Sequence, residues 1–268
     1  MTLAFTRRGA GPSLVLLHGI GSARQAWDPV IDALAERFDV LAVDLPGFGG
    51  SPVLPAEVEP VPAVLAASVA AFLDAQNVAT PHVVGNSLGG WVGLELAAIR
   101  PLGSLTLLSP AGLWRGRTPL YNRISLRGTR WLARHFTRIA ERLVRYRAGR
   151  VVILGQTHGR PTRLSPGYAR MAVHAMADGP GFEATMKATE PRCYRAGPPI
   201  EAPVTVAFGS RDRLLLPRQS RHLDELPPGT RVESLAGCGH VPMADDPDAV
   251  AALIIEAVDR APALRGTP

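Results

Sequence analysis

The sequence predicts an α/β fold: a mostly parallel central sheet flanked by helices, with a helical insertion in the second half of the chain. Three observations predict it. Short apolar runs alternate with longer stretches of helical spacing. The runs, among them SLVLLHG, FDVLAVDLPG, HVVGNS, SLTLLS and VTVAFGS, are apolar at nearly every position, as strands buried on both faces are. The alternation stops between about 112 and 200, where helical spacing continues without a convincing sheet strand.

LAFTRR and SLVLLHG lie either side of a Gly9–Pro12 turn and read as neighbouring strands. Trp27 to Phe38 carries apolar residues at helical spacing, and FDVLAVDLPG is the next strand, ended by Pro46 and Gly47. Val61 to Gln76 reads as a helix with Leu65, Val69, Phe72 and Leu73 inward. HVVGNS is a strand, Leu88 to Ile99 a helix stopped by Pro101, and SLTLLS another strand. RVVILG (150–155) has strand-like composition but falls inside the helical insertion and is read with it. AGPPIEAP (196–203) returns the chain to the sheet. There VTVAFGS and RVESLAG are strands, each followed by a helical stretch, the last from Pro247 to Arg260. The expected division is a core of 1–111 and 199–268 and an insertion of 112–198.

Composition limits the function classes. At 268 residues, 46% hydrophobic and 19% charged, the chain is long enough for one large core. It has no uninterrupted apolar stretch of membrane-spanning length. Its first residues lack the order of a signal peptide, and Cys193 and Cys238 are far apart and form no metal-ligand cluster. A cytoplasmic protein with reduced thiols is expected. Charge is uneven: residues 112–200 hold 16 Arg and one Lys against four acids, a net of +13, leaving −7 elsewhere in a chain of +6. Without a recognised motif or an aromatic platform, that charge does not indicate nucleic acid.

The stretch HVVGNSLGGW places Ser87 directly after a strand and directly before a helix. Gly85-x-Ser87-x-Gly89 is a short pattern and gains weight from that context. A serine on so sharp a turn needs glycines on both sides, and the helix N-terminus behind it aims N–H groups at the same point. In open α/β sheets, ligands bind at the carboxyl ends of the strands, where Ser87 stands. A serine hydroxyl needs a base. His240, in AGCGHVPMADDP beyond the last strand, is the best of the seven histidines. His82 precedes its strand, His135, His158 and His174 fall in the insertion, and His222 is expected in a helix. Asp212, after VAFGS, is the natural partner for the base. Asp44 precedes the nucleophile, and Asp245 heads the last helix, where acids act as caps.

The order Ser87…Asp212…His240, with LLHGIGS (16–22), DLPGFGGS (44–51), GNSLGG (85–90), GSRD (209–212) and GCGHVPMADDP (237–247), resembles the α/β-hydrolase-fold serine hydrolases over nearly the whole length. The resemblance implies an oxyanion hole from the backbone N–H groups of Ile20 and Leu88. It also implies supporting roles for His18, Gly19, Gly85, Asn86 and Gly89, and neither a cofactor nor a metal. DLPGFGGS lacks both the Lys-Ser/Thr of a P-loop and the dinucleotide spacing, and reads as a structural turn. A serine at the elbow is not what the aspartate-dependent dehalogenases and epoxide hydrolases of this fold carry. The insertion sits where family members carry a helical cap that covers the site.

Within the insertion, Arg123, Arg127, Arg130, Arg134, Arg138, Arg142 and Arg145 recur near the helical period. Leu120, Ile124, Trp131, Leu132, Phe136, Ile139, Leu143 and Val144 fall largely on another face. One basic amphipathic helix, or two in succession, is expected. A solvated face is the simplest reading; attraction of an anionic substrate and weak contact with an anionic surface are the others. Trp114, Tyr121, Trp131, Phe136, Tyr146, Tyr168, Met171, Met176, Phe182 and Met186 are the candidates for cap core and pocket. The expected activity is hydrolysis of a small-to-medium apolar carboxylic ester through an acyl-enzyme on Ser87, with a small-molecule ester as partner. The alternatives are carbon–carbon bond hydrolysis of an acidic diketone-like ring-cleavage product and a non-catalytic ligand-binding protein.

Overall fold

Seven strands form one sheet in the computed structural model, which describes residues 2–261. They are β1 (Phe5–Arg8), β2 (Ser13–Leu17), β3 (Asp39–Val43), β4 (His82–Asn86), β5 (Ser104–Leu108), β6 (Val204–Gly209) and β7 (Arg231–Leu235). Their spatial order is β1-β3-β2-β4-β5-β6-β7. β1 pairs antiparallel with β3, and the other neighbours are parallel. β1 and β2 are therefore not the neighbours the sequence predicts, because β3 lies between them. The link from Gly9 to Pro12 crosses the end of the following helix instead of closing a hairpin. Gly9 (φ 82) and Gly11 (φ 124) lie against the backbone of Ala35 and of Arg37 and Phe38, where a Cβ has no room.

The apolar runs become central strands because both faces are covered. Side chains alternate along each: Val15 and Leu17 of β2 and Leu41 and Val43 of β3 enter one core layer. Leu14, Leu16, Val40 and Ala42 enter the other. Helices α2 (Pro62–Ala75) and α3 (Leu88–Ala97) pack together on the first face. Helix α1 (Asp28–Ala35), after a 3-10 turn at Arg24–Trp27, packs on the second face against the last helix, Pro247–Asp259.

Between β5 and β6 the chain forms α4 (Leu120–His135), α5 (Thr137–Leu143), α6 (Arg147–Leu154), α7 (Pro166–Asp178) and α8 (Phe182–Thr189). RVVILG, despite its strand-like composition, is mostly α6. The inserted helices share a small core of Ala140, Val144, Leu154, Leu164, Ala169 and Val173. After β6 there is only the short α9 (Pro217–Ser220), so His222 lies beyond a helix and not within one. The last helix is α10. Both cysteines are free thiols.

Candidate active site

The carboxyl ends of β4, β6 and β7 bring Ser87, Asp212 and His240 to one edge of the sheet. Ser87 turns the chain from β4 into α3 at φ 54 and ψ −116, a region that side-chain-bearing residues rarely enter. Its N–H donates to the Leu108 carbonyl (3.0 Å), and its own carbonyl accepts from Gly90, Trp91 and Ala111. The flanking glycines are required by close approach. A Cβ on Gly85 would enter the Gly89 carbonyl, and one on Gly89 the Leu17 carbonyl.

His240 is buried, and its Nδ1–H donates to Asp212 Oδ2 at 2.9 Å. The other Asp212 oxygen accepts the N–H groups of Leu214 (2.9 Å) and Leu215 (2.8 Å). Burial pushes the Asp212 carboxyl up. The adjacent His240 and the two N–H donors outweigh it and hold the group below the usual carboxylate range. That pairing leaves His240 Nε2 as the free nitrogen, buried and without a hydrogen-bond partner among the described residues. Ser87 and His240 line the same cavity, and no hydrogen bond joins Ser87 Oγ to Nε2 in this arrangement. Catalytic hydrogen bonds of this kind often tighten only around a substrate.

Gly19 passes so close to Ser87 that a Cβ on it would lie 3.0 Å from the serine Cβ. The next residue, Ile20, lines the cavity with Ser87, and Leu88 opens α3. Among the described residues neither the Ile20 nor the Leu88 N–H donates to a protein acceptor. His18 is fully buried. Its Nδ1–H donates to the Gly19 carbonyl (2.8 Å) and its Nε2 accepts from the Leu45 N–H (3.0 Å). Burial lowers its pKa, so it is a neutral brace with one tautomer. Asp44 is committed elsewhere: it accepts from the N–H groups of Arg24 (2.6 Å) and Gly50 (2.8 Å) and pairs with the Arg24 guanidinium. It closes the DLPGFGGS turn.

Asn86 is a clamp. Its side-chain NH2 donates to the Leu108 carbonyl and to the His240 carbonyl, each at 2.9 Å, tying the His240 loop to the strand that carries Ser87. Asp245 is not the cap that its position suggests. Asp246 caps α10 through the Ala249 N–H. Asp245 instead accepts from the N–H groups of Gly239 (2.7 Å), Gly159 (2.7 Å) and Arg160 (2.8 Å), fastening the His240 loop to the inserted helices.

The cavity measures about 460 Å³ and extends under the insertion between Leu126, Phe136, Ile139, Tyr168, Met171 and Met176. A second recess of about 40 Å³ also touches Ser87 and reaches between Leu88, Trp91, Trp114 and Met186. His158, passed over as a residue of the insertion, also lines the large cavity. Burial pushes its imidazole down to about 4, so it is neutral. No sequence signal marks it: GQTHGR has no spacing that ties it to the sheet edge. Of the other aromatic and thioether candidates, Phe182 is core, and Tyr121, Trp131 and Tyr146 are exposed.

The "Alpha/beta hydrolase family" model matches residues 14–253. A pimeloyl-[acyl-carrier protein] methyl ester esterase of Aeromonas hydrophila is 34% identical over 258 residues, covering 92% of this chain and 95% of that one. An esterase from Thermogutta terrifontis superposes with a TM-score of 0.75 at 22% identity, covering 96% of this chain and 93% of that one. A meta-cleavage product hydrolase from Pseudomonas fluorescens superposes at 0.73 and 19% identity, covering 96% and 94%. These two likenesses concern the fold.

Proposed function

The chain belongs to the alpha/beta hydrolase family, and on that premise we propose that it is a carboxylic ester hydrolase working through an acyl-enzyme on Ser87. The observation that carries the reading is the free, buried Nε2 of His240, held by Asp212 and sharing a cavity with Ser87. Nε2 takes the serine proton as Oγ attacks the ester carbonyl, and Asp212 stabilises the imidazolium. The N–H groups of Ile20 and Leu88 bind the oxyanion. Nε2 then protonates the leaving alcohol, water enters, and the same base drives release of the acid.

The unequal recesses support an ester with one small and one larger apolar group. About 40 Å³ admits a group of methyl or ethyl size, and about 460 Å³ a medium chain. The methyl ester named for the Aeromonas relative agrees with that asymmetry. Among the described residues the large cavity has no Arg or Lys in its wall. An acidic ring-cleavage product would find no charged anchor there, so the carbon–carbon reading draws no support from the lining.

The test is a fluorophosphonate probe with the adduct mapped by mass spectrometry, followed by esters of graded chain length. Labelling at Ser87, absent in His240→Ala, and preference for methyl or ethyl esters of medium apolar acids is the expected result. A folded protein that resists the probe would overturn the reading in favour of a binding protein. Turnover of an acidic dienone with none of neutral esters would overturn it in favour of carbon–carbon cleavage.

A further inference from the structure

The insertion carries its apolar surface on the outside. Of 14 large apolar side chains strongly exposed among the described residues, 11 lie between 120 and 152. The cause is local. Helix α4 turns Arg130 inward, where its guanidinium donates to the Met176 carbonyl and lies 4.9 Å from the Phe182 ring centroid. It also commits Arg123 and Arg127 to Glu190. Ile124, Trp131 and Leu132 are left facing out, and the small core beneath does not reach them. A contiguous exposed apolar surface on a soluble protein marks a docking site.

Two further observations identify what docks. Arg134, Arg138, Arg142, Arg145 and Arg147 are exposed between and beside these side chains and have no carboxylate partner among the described residues. Glu141, the single acid between 120 and 152, already pairs with His174 at 2.6 Å. The complementary surface is therefore anionic, and a second copy of this positive insertion is disfavoured. Leu132, Phe136, Ile139, Leu143 and Val152 are exposed and also belong to the wall of the large cavity. The cavity mouth thus opens within the patch. A folded acidic protein would pair with the arginines and cover the apolar side chains, but gives no reason for a cavity mouth to open among them. A lipid surface matches the arginines and the apolar side chains, with basic heads at phosphates and aromatic and aliphatic side chains in the acyl boundary.

We propose that this face docks on an anionic lipid surface with the cavity mouth turned to the lipid. The docking is read without turnover in Ser87→Ala protein, so its failure and failure of the esterase reading are separate results. Co-sedimentation with phosphatidylcholine vesicles, with and without phosphatidylglycerol, is the measurement. Binding is expected only to the anionic vesicles and is expected to fall with salt. Adding Arg138→Gln, Arg142→Gln and Arg145→Gln together should weaken it about a hundredfold, since each arginine at such a surface contributes roughly fivefold. Adding Trp131→Ser alone should weaken it about tenfold. Both variants should keep the parent's unfolding midpoint. No binding to anionic vesicles, or equal binding to neutral ones, would overturn the proposal. Capture of a small acidic protein with no vesicle binding would likewise overturn it, and assign the patch to a protein partner.

Discussion

At Ser87 the backbone works against its own side chain: φ 54 with ψ −116 is glycine territory, and such a residue costs about 1–3 kcal/mol. The expectation is that Ser87→Gly unfolds no earlier than Ser87→Ala, although glycine is ordinarily worse than alanine by up to about 1 kcal/mol. Thermal or urea midpoints of the pair read the strain directly. An alanine variant more stable by the ordinary margin would mean an unstrained turn. Neither variant is expected to turn over ester. Asp212→Asn tests the proposed base differently. It keeps the size and the N–H donors of Leu214 and Leu215 but offers no charge to the imidazolium. A kcat loss of about 10³–10⁴ with KM little changed is expected; a loss below tenfold would shift the role to another acid. Asn86 belongs to this scale as well. Its link to the His240 carbonyl was invisible in sequence because the two positions are 154 residues apart.

Among the elements, a buried carboxylate fastens the junction between the His240 loop and the insertion, beside the Val241 N–H to Thr157 carbonyl bond (2.9 Å) and the Arg160–Asp246 ion pair (2.6 Å). Asp245 is buried and accepts three backbone N–H groups, from Gly239, Gly159 and Arg160. Asp245→Asn keeps the volume but replaces one acceptor oxygen with a donor that faces N–H groups. A stability loss of about 1–3 kcal/mol is expected. Because Gly239 adjoins His240, the proposed base, kcat for a short soluble ester should fall several-fold as well. A full-stability variant with unchanged kcat would show that the clamp does not position His240. The strands that carry the proposed site were legible because a strand buried on both faces needs apolar residues throughout, and that pattern survives in one dimension. β1 was placed beside β2 because turn chemistry is local, whereas β3 slips between them through a pairing that no neighbour in sequence announces. The insertion was legible as helices but not in its facing. Helical spacing separates the arginines from the apolar residues, but which set turns inward is decided by Glu190 and Phe182, far along the chain.

For the whole molecule, the two sheet-face cores followed from alternation, while the buried histidines followed from packing alone and give the protein a definite acid response. Burial lowers the pKa of His18, His82 and His158, the last to about 4. Burial outweighs the carboxylates that favour the charged form, Asp44 beside His18 and Asp245 beside His158, with Arg24 and His240 adding to the lowering; at His82 burial acts alone. Each is neutral in the folded chain and would bind a proton near 6.5 when unfolded. The unfolded state therefore takes up more protons as pH falls. Stability from these groups is complete above about 6.5 and is lost on acidification towards the folded pKa, which for His158 is about 4. His174 has the opposite sign, since Glu141 and Asp178 raise it, but it is a single, partly exposed group. Between pH 6.5 and 5 a histidine held neutral contributes on the order of 2 kcal/mol of lost stability. The unfolding midpoint should accordingly be level from pH 8 to 7 and drop by several degrees by pH 5. His158→Gln should flatten part of that slope whatever it does to the midpoint at pH 8. A midpoint that stays level to pH 5 in the unsubstituted chain would mean that His158 takes up its proton in the folded state. In that case the cavity beside Ser87 would carry a positive charge at mildly acid pH.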